Sequence, residues 1–252
     1  MQEVKKIGFW GYPDPKVIAE VKSKYPAADW IDLDIDFDYP KINILPDAYC
    51  KIIRNIIDNA FYIKPELIVA PIGKDKCDSG WFASKILIEK GFNVIQTIFE
   101  DLEPKREIKV CTSNLPLYEK VSTITDSIIK PVLLEKEFKQ VSIPENNSSQ
   151  NPLFTPGFWG VPPNDLELLR LFPVTTRVYG WIRCVEAGTP ADLNLEMFVD
   201  ENVPTVFYSQ AFCSKSSLAK YLADKYNGLY IDIDDYASNS IKAKVEAFLK
   251  LR

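Results

Sequence analysis

The chain has 252 residues, of which 46% are hydrophobic and 26% charged, and its formal net charge is −5. This composition excludes an intrinsically disordered chain, and no apolar run approaches the roughly 20 residues that span a bilayer. We therefore expect a soluble protein. Because phosphate binding needs clustered Lys and Arg, the acidic balance argues against nucleic acid or an anionic membrane as a partner.

The histidine and cysteine counts exclude further classes of catalytic and metal-binding site. The sequence has no histidine, which removes Ser-His-Asp and Cys-His catalysis and His-rich zinc and haem sites. Its five cysteines form no CxxC pair, so we expect reduced thiols rather than a disulfide framework. The first residues lead into a short stretch with Gly and Pro rather than a long apolar signal segment, which predicts a cytoplasmic protein.

The predicted elements of the first half alternate between strand and helix. The GFWGYP motif at 8–13 is expected at or just after a strand. Periodicity and turn residues then predict a helix over 15–24, a strand over 29–35, a helix over about 47–62, a strand over 66–72, a helix over about 80–90 and a strand over 93–99.

The region after the first half is predicted to connect it to a second, similar half. A strand is expected over 108–111, a helix interrupted at Pro131 over 115–138, and a linker over 144–156. A second motif, GFWGVP at 157–162, repeats five of the six positions of the first. The predicted elements after it are helices over 164–171, 190–199, 216–226 and 237–251, and strands over 176–184, 205–209 and 228–233.

The repeated motif and the repeated order of elements indicate an internal duplication. Strands that alternate with helices form parallel sheets covered by helices on both faces. We therefore predict an α/β fold of two pseudo-equivalent, doubly wound, Rossmann- or flavodoxin-like parallel-sheet units. The predicted boundaries are 1–107 for the first unit, 108–151 for a connecting strand, helix and linker, and 152–252 for the second unit.

The motif is a candidate ligand-binding turn. In open parallel sheets, ligands bind beyond the carboxyl ends of the strands, where backbone N–H groups can face an anion. The motif differs from GxGxxG, so neither NAD nor FAD is inferred. An equally weighted alternative places the aromatic rings in the core, with the repeat preserving a turn. The motif residues predicted to contact a cofactor are Gly8, Trp10, Gly11, Gly157, Trp159 and Gly160.

The cysteines give a second candidate site. Cys77 and Cys213 each follow the third strand of a half and precede a helix, and a helix N-terminus favours thiolate, so both are predicted as catalytic thiols. Cys111 and Cys184 fall near the ends of predicted strands, whereas Cys50 falls inside a predicted helix. The predicted metal ligands are Cys77, Cys111, Cys184 and Cys213, although free Cys is also a common small core residue.

Two further patterns have plain structural interpretations. The segment 209–216 has P-loop spacing with serine in place of both glycines, so a nucleotide site is not expected. Lys215 and Ser216 could still hold an anionic group, as could Ser79 in the matching loop of the first half. Aspartates alternate with apolar residues over 32–38 and again near 232–235, a pattern that a half-exposed strand needs in any case.

These residues leave three functions open. The first is a protein whose cysteine thiolates bind a small molecule or metal cofactor in a cleft between the halves, with an iron–sulfur cluster and a redox role favoured. The cofactor is otherwise unknown. Another is a non-catalytic subunit of a larger assembly, whose partner is another protein or a second copy of this chain.

The remaining function, an isomerase-like enzyme, comes from a resemblance to a known superfamily. Two α/β halves, each with a Cys after a strand, resemble in plan the cofactor-independent aspartate/glutamate racemase superfamily. The resemblance implies an isomerase-like enzyme in which Cys77 and Cys213 act as paired acid and base. The motifs of that family are of the kind Cys-Asn-Thr, whereas this chain has Cys-Asp-Ser at 77–79 and Cys-Ser-Lys at 213–215.

Overall fold

A computed structural model describes residues 4–73, 76–98, 107–125, 154–189 and 192–251. These residues form two compact units, one containing the described residues up to 98 and the other those from 107 onward. The described part of the predicted connecting region, 108–125, therefore belongs with the second unit, as does residue 107, which was predicted to end the first. No helix among the described residues is both long and apolar enough to cross a lipid bilayer.

The first unit is built on a four-stranded parallel sheet with the order β2-β1-β3-β4. Its strands are β1 Lys6–Phe9, β2 Asp29–Asp32, β3 Leu67–Ile72 and β4 Val94–Ile98. The helices that follow the first three strands are α1 Pro15–Lys24, α2 Lys51–Ile63 and α3 Asp78–Glu89.

The second unit contains another four-stranded parallel sheet, with the order β6-β5-β7-β8. Its strands are β5 Gly157–Trp159, β6 Arg177–Tyr179, β7 Thr205–Ser209 and β8 Leu229–Asp232. Its helices are α4 Leu117–Thr123, a 3₁₀ helix Leu166–Leu171, α5 Trp181–Ala187, α6 Leu193–Met197, α7 Lys215–Lys225 and α8 Asn239–Leu251.

The predicted α/β class with two parallel-sheet units is confirmed, and the sheets also agree in register. The motif phenylalanine of β1, Phe9, pairs with Val69 of β3, and its counterpart Phe158 of β5 pairs with Val206 of β7. Both copies of the motif therefore end the same strand of their sheets. Equal strand order and equal register are what a duplication produces.

Helices cover both faces of the first sheet, as a parallel sheet requires. Strand β3 is buried from Leu67 to Pro71, which explains its continuous apolar sequence. One face packs against α2 and α3, where the cluster includes Trp10, Ile56, Ile57, Ala83 and Leu87. The other face packs against α1, where the cluster includes Ile7, Phe9, Ile18, Val21 and Val69.

Two strand predictions were too long because local turns end the strands. The strand predicted over 176–184 ends at Tyr179, since Gly180 has a φ of 72° and is the N-cap residue of helix α5. Cys184 consequently lies in a helix rather than near a strand end. The strand predicted over 29–35 ends at Asp32, and the Asp34 N–H donates a hydrogen bond to the Asp32 carboxylate at 3.1 Å.

Other element predictions also need correction. The strand predicted over 108–111 is a turn, because its backbone N–H groups bind the carboxylate of Glu186 instead of a neighbouring strand. Cys50 lies at the N-cap of α2 and not within it, because the helix begins at Lys51. Among the described residues of the helix predicted over 190–199, the helical ones are those of α6. Residues 126–153, with most of the predicted interrupted helix and linker, lie outside the described residues.

Candidate functional site at the carboxyl edges of the sheets

Each sheet has one point where consecutive connections leave in opposite directions. In the first unit this switch point lies between β1 and β3, and in the second it lies between β5 and β7. Loops beyond the carboxyl ends of two such strands diverge and leave a crevice, which is the usual ligand site of doubly wound sheets. The residues that follow these strands are therefore the first place to look for a site.

The aromatic residues of both motifs belong to the core. Trp10 is 5% exposed and Trp159 is 1% exposed. The indole Nε1 of Trp159 donates a hydrogen bond of 2.7 Å to the backbone oxygen of Glu196, which fixes helix α6 beside the end of β5. These rings therefore pack inside their units instead of forming an exposed wall, as the alternative interpretation of the motif proposed.

The motif glycines serve close packing more than turns. A Cβ at Gly8 would lie 2.7 Å from Leu33 Cδ1, and one at Gly157 would lie 2.8 Å from Tyr179 Cε2. A Cβ at Gly160 would meet the backbone oxygen of Tyr208 at 2.8 Å. Of the four motif glycines, Gly11 has the left-handed φ, 49°, that the predicted turn requires.

Carboxylates of the chain itself occupy backbone donors at both edges. The Gly11 N–H after β1 donates to Asp34 Oδ2 at 2.9 Å. The Ala211 N–H beyond β7 donates to Asp234 Oδ1 at 2.7 Å. The later members of the two acidic runs thus bond the strand ends. The sequence predicted a half-exposed strand for these runs, with the last aspartates as the exception because they reach the carboxyl edge.

The predicted catalytic thiols both lie beside helix N-termini, but their positions do not match completely. Cys77 is exposed and is the N-cap residue of α3, whereas the N-cap of α7 is Ser214. Cys77 and Ser214 each lie eight positions beyond the strand residue that pairs with the motif phenylalanine. Cys213 lies one position before the counterpart of Cys77. Their catalytic role remains a prediction.

The other two predicted metal ligands are buried thiols. Burial, reinforced by the Glu186 carboxylate, raises the pKa of Cys111 well above its usual value. Burial, with a contribution from Glu196, raises the pKa of Cys184 to about 12. Both side chains are therefore neutral at pH 7, and thiolate is the form that ligates metals. Within the described ranges, no group of three or more His, Cys, Asp or Glu side chains is arranged to hold a metal ion.

Alkylation of the folded protein should distinguish these thiols. We expect iodoacetamide at pH 7.5 to modify Cys77 while leaving Cys111 and Cys184 intact, because only exposed thiols that can ionise react quickly. Mass spectrometry of the digested protein measures the modified fraction at each cysteine. The buried thiols should react after denaturation in urea. Modification of Cys184 in the folded protein at the rate of Cys77 would contradict this description.

An ion pair with a buried carboxylate joins helix α6 to the start of α7 in the second unit. Glu196 of α6 is 1% exposed, and its Oε1 accepts a hydrogen bond from Lys215 Nζ at the first residue of α7. Within the described part of the chain, the second carboxylate oxygen, Oε2, has no hydrogen-bond partner. The Trp159 indole, on the last residue of β5, bonds the backbone of Glu196, and the carboxylate pairs with Lys215 at the start of the helix that follows β7.

Further polar groups line the same edge. Gln210, the residue after β7, is 1% exposed, and its Nε2 also lacks a partner among the described residues. Ser209 Oγ lies 3.0 Å from Tyr230 Oη, which in turn donates to Asp232 Oδ2 at 3.4 Å. The edge therefore combines hydrogen-bonded polar groups with two buried atoms, Glu196 Oε2 and Gln210 Nε2, that have no hydrogen-bond partner among the described residues.

The predicted anion-contacting residues of the helix N-termini are already engaged. Lys215 is paired with Glu196, and the Ser216 N–H donates to Cys213 O at 2.9 Å. In the first unit, Ser79 Oγ accepts a hydrogen bond of 3.3 Å from Tyr49 Oη. Sequence reasoning identified Lys215 but missed Glu196 and Gln210. Glu196 stands in no motif, Gln210 is an unassigned position of the 209–216 segment, and the burial of both follows from tertiary packing.

The fold defines the chain as an α/β protein of two four-stranded parallel-sheet units, with a buried polar site at one carboxyl edge. No protein-family model matches the chain, and no match is found among curated proteins.

Proposed function

We propose that this protein binds a small molecule at the carboxyl edge of its second sheet, between β5 and β7. The observation that carries this proposal is the unpartnered Oε2 of Glu196 on a carboxylate that is 1% exposed. A buried polar atom without a hydrogen bond costs about 1–3 kcal/mol, and more when it is charged. A ligand that supplies the missing hydrogen bond would remove this cost when it binds.

The position of Glu196 supports the same function. Crevices at switch points are the usual ligand sites of doubly wound sheets, and small-molecule sites combine apolar walls with a few convergent polar groups. Here Glu196 of α6, Gln210 after β7 and Lys215 at the start of α7 supply the polar groups. The Lys215 ammonium also holds the carboxylate in place, so the site is organised before a ligand arrives.

The thiol-based functions remain separate predictions. An iron–sulfur cluster would draw on Cys111 and Cys184, whose pKa values are raised by burial, and a racemase-like reaction would need only Cys77 and Cys213. Protein purified without oxygen tests the first, because a cluster absorbs visible light. Deuterium exchange at the α-carbon of an amino acid tests the second. Neither thiol prediction is needed for the binding site at Glu196.

Replacing Glu196 by Gln tests the proposed site. Screening the full chain by NMR against small amines, acids, amides and alcohols should identify compounds that shift the Trp159 indole N–H resonance, because that group is bonded to the Glu196 backbone. Glu196→Gln should weaken their binding at least about tenfold, the effect of one lost charged hydrogen bond of about 1.5–3 kcal/mol. Trp159→Phe assigns the resonance.

A matched control is available on the surface of α8. Glu246 forms an exposed pair of 3.8 Å with Lys250, so Glu246→Gln removes a carboxylate of similar pairing away from the strand ends. Its binding affinities should equal those of the unmodified protein. Equal affinities in the Glu196→Gln protein as well, or a screen in which no compound shifts the Trp159 resonance, would contradict the proposed function.

A further inference from the structure

We infer that the group recognised beside Glu196 is a cation of the primary-ammonium class and not a phosphate or carboxylate. This inference rests on the proposed function, because it assigns the chemistry of the ligand that the same site would take. It also departs from the expectation, drawn from the spacing of Lys215 and Ser216, that this loop could hold an anion.

The first support is that several backbone N–H groups of this loop, which an anion would need as hydrogen-bond donors, are already bonded to oxygens of the chain. Phosphate-binding loops leave successive backbone N–H groups free to face the ligand. Here the Ala211 N–H donates to Asp234 Oδ1 at 2.7 Å, and the Cys213 N–H donates to Gln210 O at 2.9 Å. The Ser216 N–H donates to Cys213 O at 2.9 Å. An anion would have to displace these internal bonds.

The second support is the sign of the local charge. Lys215 is neutralised by its ion pair with Glu196. Asp232 ends β8 opposite Ser209, the last residue of β7, and Asp234 is bound to the loop that follows β7. These groups are three carboxylates and one ammonium, and the Asp192 carboxylate and the Arg183 guanidinium also act on the neighbouring Cys184, so carboxylates outnumber cations by four to two. A crevice lined by one sign of charge concentrates ligands of the opposite sign.

The third support is the type of atom left unpartnered. A carboxylate oxygen only accepts hydrogen bonds, and an ammonium group only donates them, so Glu196 Oε2 and a primary amine are complementary. Gln210 can follow either chemistry, because a 180° flip of its amide exchanges the donor and the acceptor. A ligand carboxylate or phosphate, in contrast, would face Oε2 with a second negative charge.

The test uses the full chain at constant ionic strength and four probes. Butylammonium, butanol and butyrate are similar in size and differ in their polar group, and inorganic phosphate is the fourth. Each is titrated while the Trp159 indole N–H resonance is followed. We expect butylammonium to bind at least about tenfold tighter than butanol, and butyrate and phosphate to cause no saturable shift. Tighter binding of butyrate or phosphate than of butylammonium would overturn the inference.

Two variants distinguish a cation site from an anion site by the direction in which the binding affinity changes. Glu196→Gln should remove the preference for butylammonium over butanol. Lys215→Met should strengthen butylammonium binding severalfold or more, because the Glu196 carboxylate then lacks its internal counter-ion. An anion site would instead lose binding in the Lys215→Met protein. The opposite responses keep the test decisive even if one of the two variants fails to fold.

The outcomes also separate this inference from the proposed function. If butanol or an anion binds and Glu196→Gln abolishes that binding, the site exists but the ammonium assignment is wrong. If no probe and no screened compound shifts the Trp159 resonance, both are wrong. Glu246→Gln should leave every affinity unchanged, which excludes a general effect of the net charge of the protein.

Discussion

Glu186→Gln is expected to destabilise the second unit by about 3 kcal/mol, the usual cost of disrupting a buried charged network. The carboxylate is 2% exposed and accepts three backbone N–H bonds from one turn. Lys109 and Val110 donate to Oε1 at 2.7 and 2.6 Å, and Cys111 donates to Oε2 at 2.8 Å. Glutamine keeps the shape but replaces one accepting oxygen by an NH2 group that faces a backbone donor.

Amide hydrogen exchange measures this effect at the affected turn. In the Glu186→Gln protein, the N–H groups of Lys109, Val110 and Cys111 should exchange roughly a hundredfold faster, and urea should unfold the second unit at lower concentration. Glu167→Gln is the matched control, because it removes the carboxylate of an exposed pair with Arg170 at 2.9 Å. A loss as small as that of the control would show that the turn does not depend on Glu186.

Lys120 is expected to contribute increasing stability to the second unit as the pH is raised from 8 to about 10.5. This side chain is fully buried in α4 and donates hydrogen bonds to the backbone oxygens of Val174 and Thr176. Burial, with a smaller contribution from Arg177, lowers the pKa of Lys120 to about 8 from an ordinary value of 10.5.

The sign follows from proton binding. Between pH 8 and 10.5 the unfolded chain keeps the Lys120 proton while the folded protein loses it, so the contribution of Lys120 to stability increases with pH across this window. The raised pKa values of Cys111 and Cys184 act in the opposite direction, because the folded protein keeps thiol protons that the unfolded chain releases. Below pH 8 both states carry the charge and the full cost of burying it is present. The pKa difference corresponds to at most about 3 kcal/mol, since one pKa unit is about 1.4 kcal/mol.

The Lys120→Met variant isolates this contribution. Urea unfolding at several pH values should show that the free energy of unfolding of the unmodified protein, minus that of the variant, increases from pH 8 to about 10.5. Other groups titrate in the same range, so the comparison is made between the two proteins. The exposed Lys220→Met control should show no such pH-dependent difference from the unmodified protein. Parallel pH profiles for all three proteins would contradict the lowered pKa of Lys120.

The sequence by itself determined the architecture of this protein. Apolar runs such as 67–71, the alternation of strand and helix, and the repeated GFWG motif together predict two parallel-sheet units, and all three depend on local patterns. The motif also located the strands on one side of each switch point, because both copies end β1 and β5 in the same register. Periodicity records which residues must be buried, so it carries this information without knowledge of the partners.

Tertiary structure alone decided the polar sites. Nothing in the local sequence marks Glu186, Glu196 or Lys120 as buried. Each is buried because a distant part of the chain supplies its partner. The same holds for the cysteines, since Cys111 and Cys184 are neutral core thiols only through the segments packed around them. The reason is that hydrogen-bond partners and desolvation are set by long-range packing, which short sequence patterns do not encode.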